Sequence, residues 1–184
     1  MTSAAVKKPG PNARRLAQML RVDHAGEYGA VAIYRGQHAV FSGLADKKDT
    51  AAMIAEMEAG EQEHLKTFDR LLAERRVRPT LLAPFWNVAG FGLGAATALM
   101  GEKAAMACTA AVEEVIEKHY GDQIEALGDD EPELSATIAK FRADELEHKA
   151  TAEAAGAEEA PGYRLLSGII RAGCRAAIKI AEKV

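Results

Sequence analysis

Two short runs decide how this chain is read: Glu61-Gln62-Glu63-His64 and Glu145-Leu146-Glu147-His148. Each sets a glutamate and a histidine three residues apart, which on an α-helix is one face. Each lies in the middle of an apolar stripe at helical spacing. The first stripe is Ile54, Met57, Glu61, His64, Phe68 and Leu71; the second is Leu134, Ile138, Phe141, Glu145, His148 and Ala152. Two further stripes carry a glutamate without the histidine. One is Leu16, Leu20, Asp23, Glu27, Val31, Tyr34, His38 and Phe41; the other is Met106, Thr109, Glu113, Ile116, Tyr120, Ile124 and Leu127. Four predicted helices thus each put a glutamate where a core residue belongs.

The periodicity predicts five helical stretches: 13–41, 47–76, 102–127, 132–155 and 162–183. Gly43, Gly128 and Gly156 stand just past three of the ends, as stop signals. The tight turns after Phe41 and Leu127 imply two antiparallel hairpins. The hairpins repeat one another: Glu27, Tyr34 and Gln37 have the same spacing as Glu113, Tyr120 and Gln123. Glu61 follows Glu27 by 34 residues, and Glu145 follows Glu113 by 32. In an antiparallel hairpin, residues equally far from the turn stand at equal height. All four glutamates are therefore expected in one layer of the bundle.

A glutamate taken singly is usually a solvated residue, and Glu56, Glu63, Glu114 and Glu147, which lie off the stripes, fit that reading. Four carboxylates in one core do not, because an unpaired buried charge costs several kcal/mol. They need cations. Two divalent ions would balance four carboxylates, and the two histidines complete a mixed nitrogen and oxygen ligand set suited to iron, zinc or manganese. Ferritin-like di-iron and di-manganese proteins use this constellation. The candidate ligands are Glu27, Glu61, His64, Glu113, Glu145 and His148, with Glu61 and Glu145 bridging and Glu27 and Glu113 terminal. His24 and His119 are assigned outer or surface positions. Tyr34 and Tyr120 are core residues whose hydroxyls either find an ordinary partner or bond near the site.

Composition bounds the rest. The 184 residues carry a net charge of −4, which gives no basic field for nucleic acid. Cys108 and Cys174 form no disulfide framework or Cys-x-x-Cys metal site; they read as small buried hydrophobes in a reducing compartment. Residues 1–12 hold Pro9, Gly10 and Pro11, lack an apolar signal core, and read as a disordered lead-in to one domain over 13–184.

The stretch Arg21-Val22-Asp23-His24-Ala25-Gly26-Glu27-Tyr28-Gly29-Ala30, continuing to Ile33-Tyr34-Arg35-Gly36-Gln37, resembles the demethoxyubiquinone hydroxylase family. The likeness continues through Glu61–Leu65, Met106–Glu114 and Phe141–His148, and spans nearly the whole chain from Ala13. It implies an all-α, ferritin-like four-helix bundle of two antiparallel hairpins, with a long crossover and an extra C-terminal helix. It also implies two iron ions on the same six ligands. The implied reaction is hydroxylation of a polyprenylated demethoxy-benzoquinol by O2 in ubiquinone biosynthesis, with NADH as electron donor. No Gly-rich dinucleotide fingerprint is present. The absence of an Arg- and Ser-rich transit region points to a bacterial protein on the cytoplasmic side of the cell membrane.

Two segments answer to a lipid-borne substrate. Residues 77–101 form the crossover, and from Pro79 to Gly101 it has no charged side chain. Its prolines and glycines favour an interfacial or protein-buried segment over a transmembrane helix. Residues 162–183 form a basic amphipathic helix with Leu166, Ile169, Ile170, Gly173, Ala177 and Ile180 on one stripe and Arg164, Arg171, Arg175 and Lys179 on another. It suits either a membrane surface or docking on the bundle. The apolar surface also suits a homo-oligomer or association with other ubiquinone-biosynthesis proteins. The main rival function is a ferritin- or rubrerythrin-like iron oxidase or redox buffer without an organic substrate; rubrerythrin's Cys-x-x-Cys module is missing, and the apolar crossover disfavours a soluble cage. A membrane-associated scaffold with a vestigial site is disfavoured because all six ligand positions are filled.

Overall fold

The computed structural model describes residues 12–183, all in helices and short connections. The expected lead-in, apart from Asn12, lies outside the described residues. The elements are α1 (Ala13–Phe41), α2 (Lys48–Glu74), α3 (Ala83–Leu99), α4 (Glu102–Leu127), α5 (Pro132–Ala154) and α6 (Tyr163–Ala181). Single 3₁₀ turns at Ala45–Lys47 and Ala157–Glu159 join α1 to α2 and α5 to α6. Among the described residues there is no strand.

The helix ends follow local chemistry. The Asn12 side chain accepts from the Arg15 N–H at 2.9 Å and caps α1. α2 stops two residues short of the expected Arg76, because Arg76 takes the left-handed conformation, φ 54°. The Arg76 N–H then reaches the Ala73 carbonyl and the Val77 N–H the Leu72 carbonyl, closing a Schellman turn with Val77 packed beside Leu72.

α1, α2, α4 and α5 form the bundle. Two of its apolar clusters lie at opposite ends. One holds Phe41, Ile54, Met57, Met106 and Ala152. The other holds Leu20, Phe68, Tyr120, Leu127, Ile138 and Phe141. On every helix the stripe glutamate lies between the residues it gives to the two clusters. A polar layer is thereby sealed above and below by hydrocarbon.

The crossover corrects one expectation. Five helices are predicted from the sequence, but residues 83–99 make a sixth, α3, which runs along α1. Its glycines, read as breakers, make the contact possible. A Cβ at Gly94 would collide with the Ile33 carbonyl oxygen, and one at Gly90 would stand 2.8 Å from that of Gly29. Gly36 of α1 answers in kind, with no room for a Cβ against Phe91 of α3. The two backbones touch, and the burial gained outweighs the roughly 1 kcal/mol each glycine costs in a helix. Many of the large apolar residues of this segment consequently point outward: Leu81, Phe85, Val88, Phe91, Leu99 and Met100 are exposed. At 17 residues α3 is short of the roughly 20 that span a bilayer. No helix among the described residues is long and apolar enough to cross a membrane.

α6 packs on α4 with Ser167 and Ile170 buried, while Leu165, Ile169 and Ile180 remain exposed. Arg171, from its basic stripe, pairs with Glu114 of α4 at 3.0 Å. That arginine helps to dock α6.

Candidate metal centre

All six side chains singled out in the sequence meet in the polar layer. Glu27, Glu61, Glu113 and Glu145 are at most 1% exposed. Their atoms fall into two overlapping groups, Glu27, Glu61, His64, Glu145 and Glu61, Glu113, Glu145, His148, with the ligand atoms of each within 4.8 Å of one another. Glu61 and Glu145 belong to both groups. The His64 Nδ1 lies 3.3 Å from Glu145, 3.5 Å from Glu27 and 3.6 Å from Glu61. The His148 Nδ1 lies 2.8 Å from Glu61 and 4.0 Å from Glu145.

The electrostatics are those of a site made for cations. Burial, then repulsion from Glu61, pushes Glu27 well above the usual carboxylate range and Glu113 up to about 7. Glu145 is raised for the same reasons, with Glu113 adding to the repulsion. Burial would raise Glu61 too, but the His148 and His64 imidazoles beside it outweigh that and hold Glu61 down at about 2. Burial disfavours the charged form of both imidazoles, yet the surrounding carboxylates raise both above their ordinary value.

Buried polar atoms normally find a hydrogen-bond partner. Here Glu27 Oε2, both oxygens of Glu61, Glu113 Oε2, both oxygens of Glu145, and the Nδ1 atoms of His64 and His148 do not. Of the thirteen such atoms among the described residues, these eight belong to the six residues. The donor set therefore fits two divalent ions, with oxygen and imidazole ligands appropriate to iron.

The next ring of side chains crosses between the hairpins. The Tyr34 hydroxyl donates to Glu113 at 2.5 Å, and the Tyr120 hydroxyl donates to Glu27. Burial, then the nearby carboxylates, pushes both phenols well above their ordinary value, so they stay protonated donors. Of the two readings of these tyrosines, the bond at the site is the observed one. Gln37 donates to the Ala105 carbonyl and Thr109; Gln123 donates to Asp23, beside which His119 also stands at 3.2 Å. His24 pairs with Asp69 at 3.0 Å. Neither His24 nor His119 joins the two ligand groups, as expected.

Sequence reasoning missed Asp144, whose Oδ2 stands 3.1 Å from the His64 Nε2. The available signal was its place directly before Glu145, on the shoulder of the stripe.

Two openings flank the layer. A cavity of about 330 Å³ lies between α1, α3, α4 and α6, walled by apolar residues including Ile33, Trp86, Leu93, Ile116, Ile170 and Ile178. Its lining residues Gly26 and Val112 are the chain neighbours of Glu27 and Glu113. A more polar cleft of about 630 Å³ opens between α2 and α5 and is bordered by His64 and His148.

Comparison with known proteins agrees with this geometry. Residues 14–181 match the family model described as "Ubiquinone biosynthesis protein COQ7". A 3-demethoxyubiquinol 3-hydroxylase of Rhodospirillum rubrum is 54% identical over 176 residues, covering 96% of this chain and 81% of the relative. The NADPH-dependent 3-demethoxyubiquinone 3-hydroxylase of Mus musculus mitochondria is 49% identical over 94% of this chain and 79% of its own length. The mitochondrial 5-demethoxyubiquinone hydroxylase of Saccharomyces cerevisiae is 39% identical over 92% and 78%. Matched from the start of α1 to the end of α6, the chain belongs to the COQ7 family of ubiquinone biosynthesis proteins.

Proposed function

We infer that this chain is a 3-demethoxyubiquinol 3-hydroxylase, an enzyme of ubiquinone biosynthesis, and propose that it works as a di-iron monooxygenase. The observation that carries the reading is the pair of overlapping ligand groups sharing Glu61 and Glu145. In this reading Glu27 and His64 complete one iron position, and Glu113 and His148 the other. With iron bound, the centre would activate O2 so that one oxygen atom enters the quinol ring and the other leaves as water.

The protein's own part is to hold and enclose. Tyr120 and Tyr34 fix Glu27 and Glu113 through their hydroxyls, leaving the second oxygen of each carboxylate for metal. The two hydrocarbon clusters close the layer at its two ends, and in such partly enclosed surroundings electrostatic interactions are stronger than in water. The apolar cavity suits the prenylated quinol, since its walls match an isoprenoid tail and it lies against α1 and α4, the helices that carry Glu27 and Glu113. Exposed Phe85, Val88 and Phe91 belong to α3, and exposed Leu165 and Ile169 to α6, two of the helices that wall that cavity. We read this face as a peripheral attachment to the cytoplasmic surface of the bacterial membrane, from which the substrate enters. NADH is the proposed donor; the mouse relative's name specifies NADPH, and both nucleotides belong in the assay.

The deciding experiment is incubation of iron-loaded protein, reductant and a demethoxyquinol in liposomes under ¹⁸O₂, with mass spectrometry of the product. One labelled oxygen in the ring is the expected result. Oxygen consumption with two irons per chain and no labelled quinol would instead favour an iron oxidase or redox buffer.

A further inference from the structure

The two halves of the polar layer differ around their histidines. Building on the di-iron reading, we propose that the two metal positions are inequivalent. The ion beside His148 enters and leaves through the cleft between α2 and α5, while the ion beside His64 is retained by Asp144.

Asp144 and Gly60 hold corresponding places in the repeat, each one residue before the glutamate of a Glu-x-x-His pair. The Asp144 carboxylate stands 3.1 Å from the His64 Nε2, on the ring edge away from the ligand cluster. At the corresponding edge of His148 stands Gly60, where even a Cβ would be 3.3 Å from Nε2. One imidazole is thus held by a carboxylate, and the other faces a glycine. Their exposure follows: the His64 side chain is 3% exposed and that of His148 is 13%.

A carboxylate behind a ligating imidazole fixes its tautomer and orientation and raises its basicity; removing such a partner typically costs about ten- to a hundredfold in metal affinity. His148 lacks that restraint, and its ring can turn toward the cleft. The cleft also has the right charge for a cation. Glu56, Glu63 and Glu147 border it against one lysine, Lys140. The opposite side of the layer is walled by the apolar cavity, a poor path for a hydrated ion. The cleft and the uncovered histidine therefore point to the same ion.

The test is chelator-driven release from full-length protein loaded anaerobically with two equivalents of Co²⁺, followed by absorbance and by metal analysis. The expected result is two phases of equal amplitude, separated at least about tenfold. Asp144→Asn, a near-isosteric change on the cleft border, should accelerate the slow phase by about ten- to a hundredfold and leave the fast phase unchanged. His148→Ala should retain one ion that leaves at the slow rate. Release of both ions in a single phase overturns the proposal. So does an Asp144→Asn protein in which both phases shift together, which would mark a general structural role. Fewer than two ions bound at saturation is a different failure, since it removes the di-iron reading itself.

Discussion

The Tyr34 hydroxyl, on α1 of the first hairpin, donates to Glu113 of α4 in the second at 2.5 Å. Tyr120 returns the bond to Glu27. Each hairpin therefore orients the lone carboxylate of the other, and neither half of the site is complete without its partner. Removing one hydroxyl leaves a buried carboxylate oxygen without its donor. Tyr34→Phe is expected to weaken metal binding by about ten- to a hundredfold and to lower turnover, with the helical fold kept. Equilibrium metal titration checks this; unchanged affinity would mean the bond has no bearing on the site.

The ligand set makes a sharper prediction. Glu145→Ala or His148→Ala should abolish hydroxylation while the far-ultraviolet circular dichroism stays helical. Residual turnover near the parental level would exclude Glu145 as a bridging ligand.

Metal removal should make stability pH-dependent in a definite direction. Glu113 rises from its ordinary 4.5 to about 7 in the fold, and Glu27, Glu145, His64 and His148 are also raised. Between ordinary and raised values the folded metal-stripped protein holds more protons than the unfolded chain. Raising the pH through that window therefore destabilises it. Glu61, lowered to about 2, loses its contribution only in acid, below that window. The melting temperature of the stripped protein should fall as pH rises from 5 to 8, and iron loading near pH 6 should release protons. A flat profile for the stripped protein would contradict this electrostatic account.

The α1–α3 contact can be tested by two glycines of one helix. Gly94→Val forces a side chain against the Ile33 carbonyl and should cost about 1–3 kcal/mol or detach α3. A Cβ at Gly92 meets nothing within 4 Å, so Gly92→Ala should be neutral or stabilise by up to about 1 kcal/mol. Urea denaturation distinguishes them, and equal effects would refute the close packing.

If α3 supplies the membrane face, the double substitution Phe85→Ser and Phe91→Ser should reduce flotation with liposomes. Both side chains are exposed, 58% and 44%, so thermal stability should change little. Activity on a short-chain, water-soluble quinol should survive where activity on the prenylated one falls. Undiminished flotation would move membrane attachment elsewhere, with α6 the next candidate.

Much of this protein was legible in one dimension. Helical period and distance from a turn are local quantities, and they suffice to place Glu27, Glu61, Glu113 and Glu145 at one height on four inward faces. Two histidines at i+3 then complete the candidate ligand set, and the offsets shared by Glu27–Gln37 and Glu113–Gln123 reveal the duplication. The remaining features depend on which helix lies beside which. The run from Gly90 to Gly94 looks like a break until the α1 backbone is set against it, because a glycine's missing side chain has meaning only next to the atoms that fill its place. The crossed tyrosine bonds, the Asp144 carboxylate behind His64 and the bare Gly60 beside His148 are likewise relations between separate helices. The sequence determined the carboxylates and imidazoles of the site, because helical period alone brings them onto inward faces; the tertiary structure decided how each is held and from which side it is reached, because those depend on contacts between helices that no local pattern encodes.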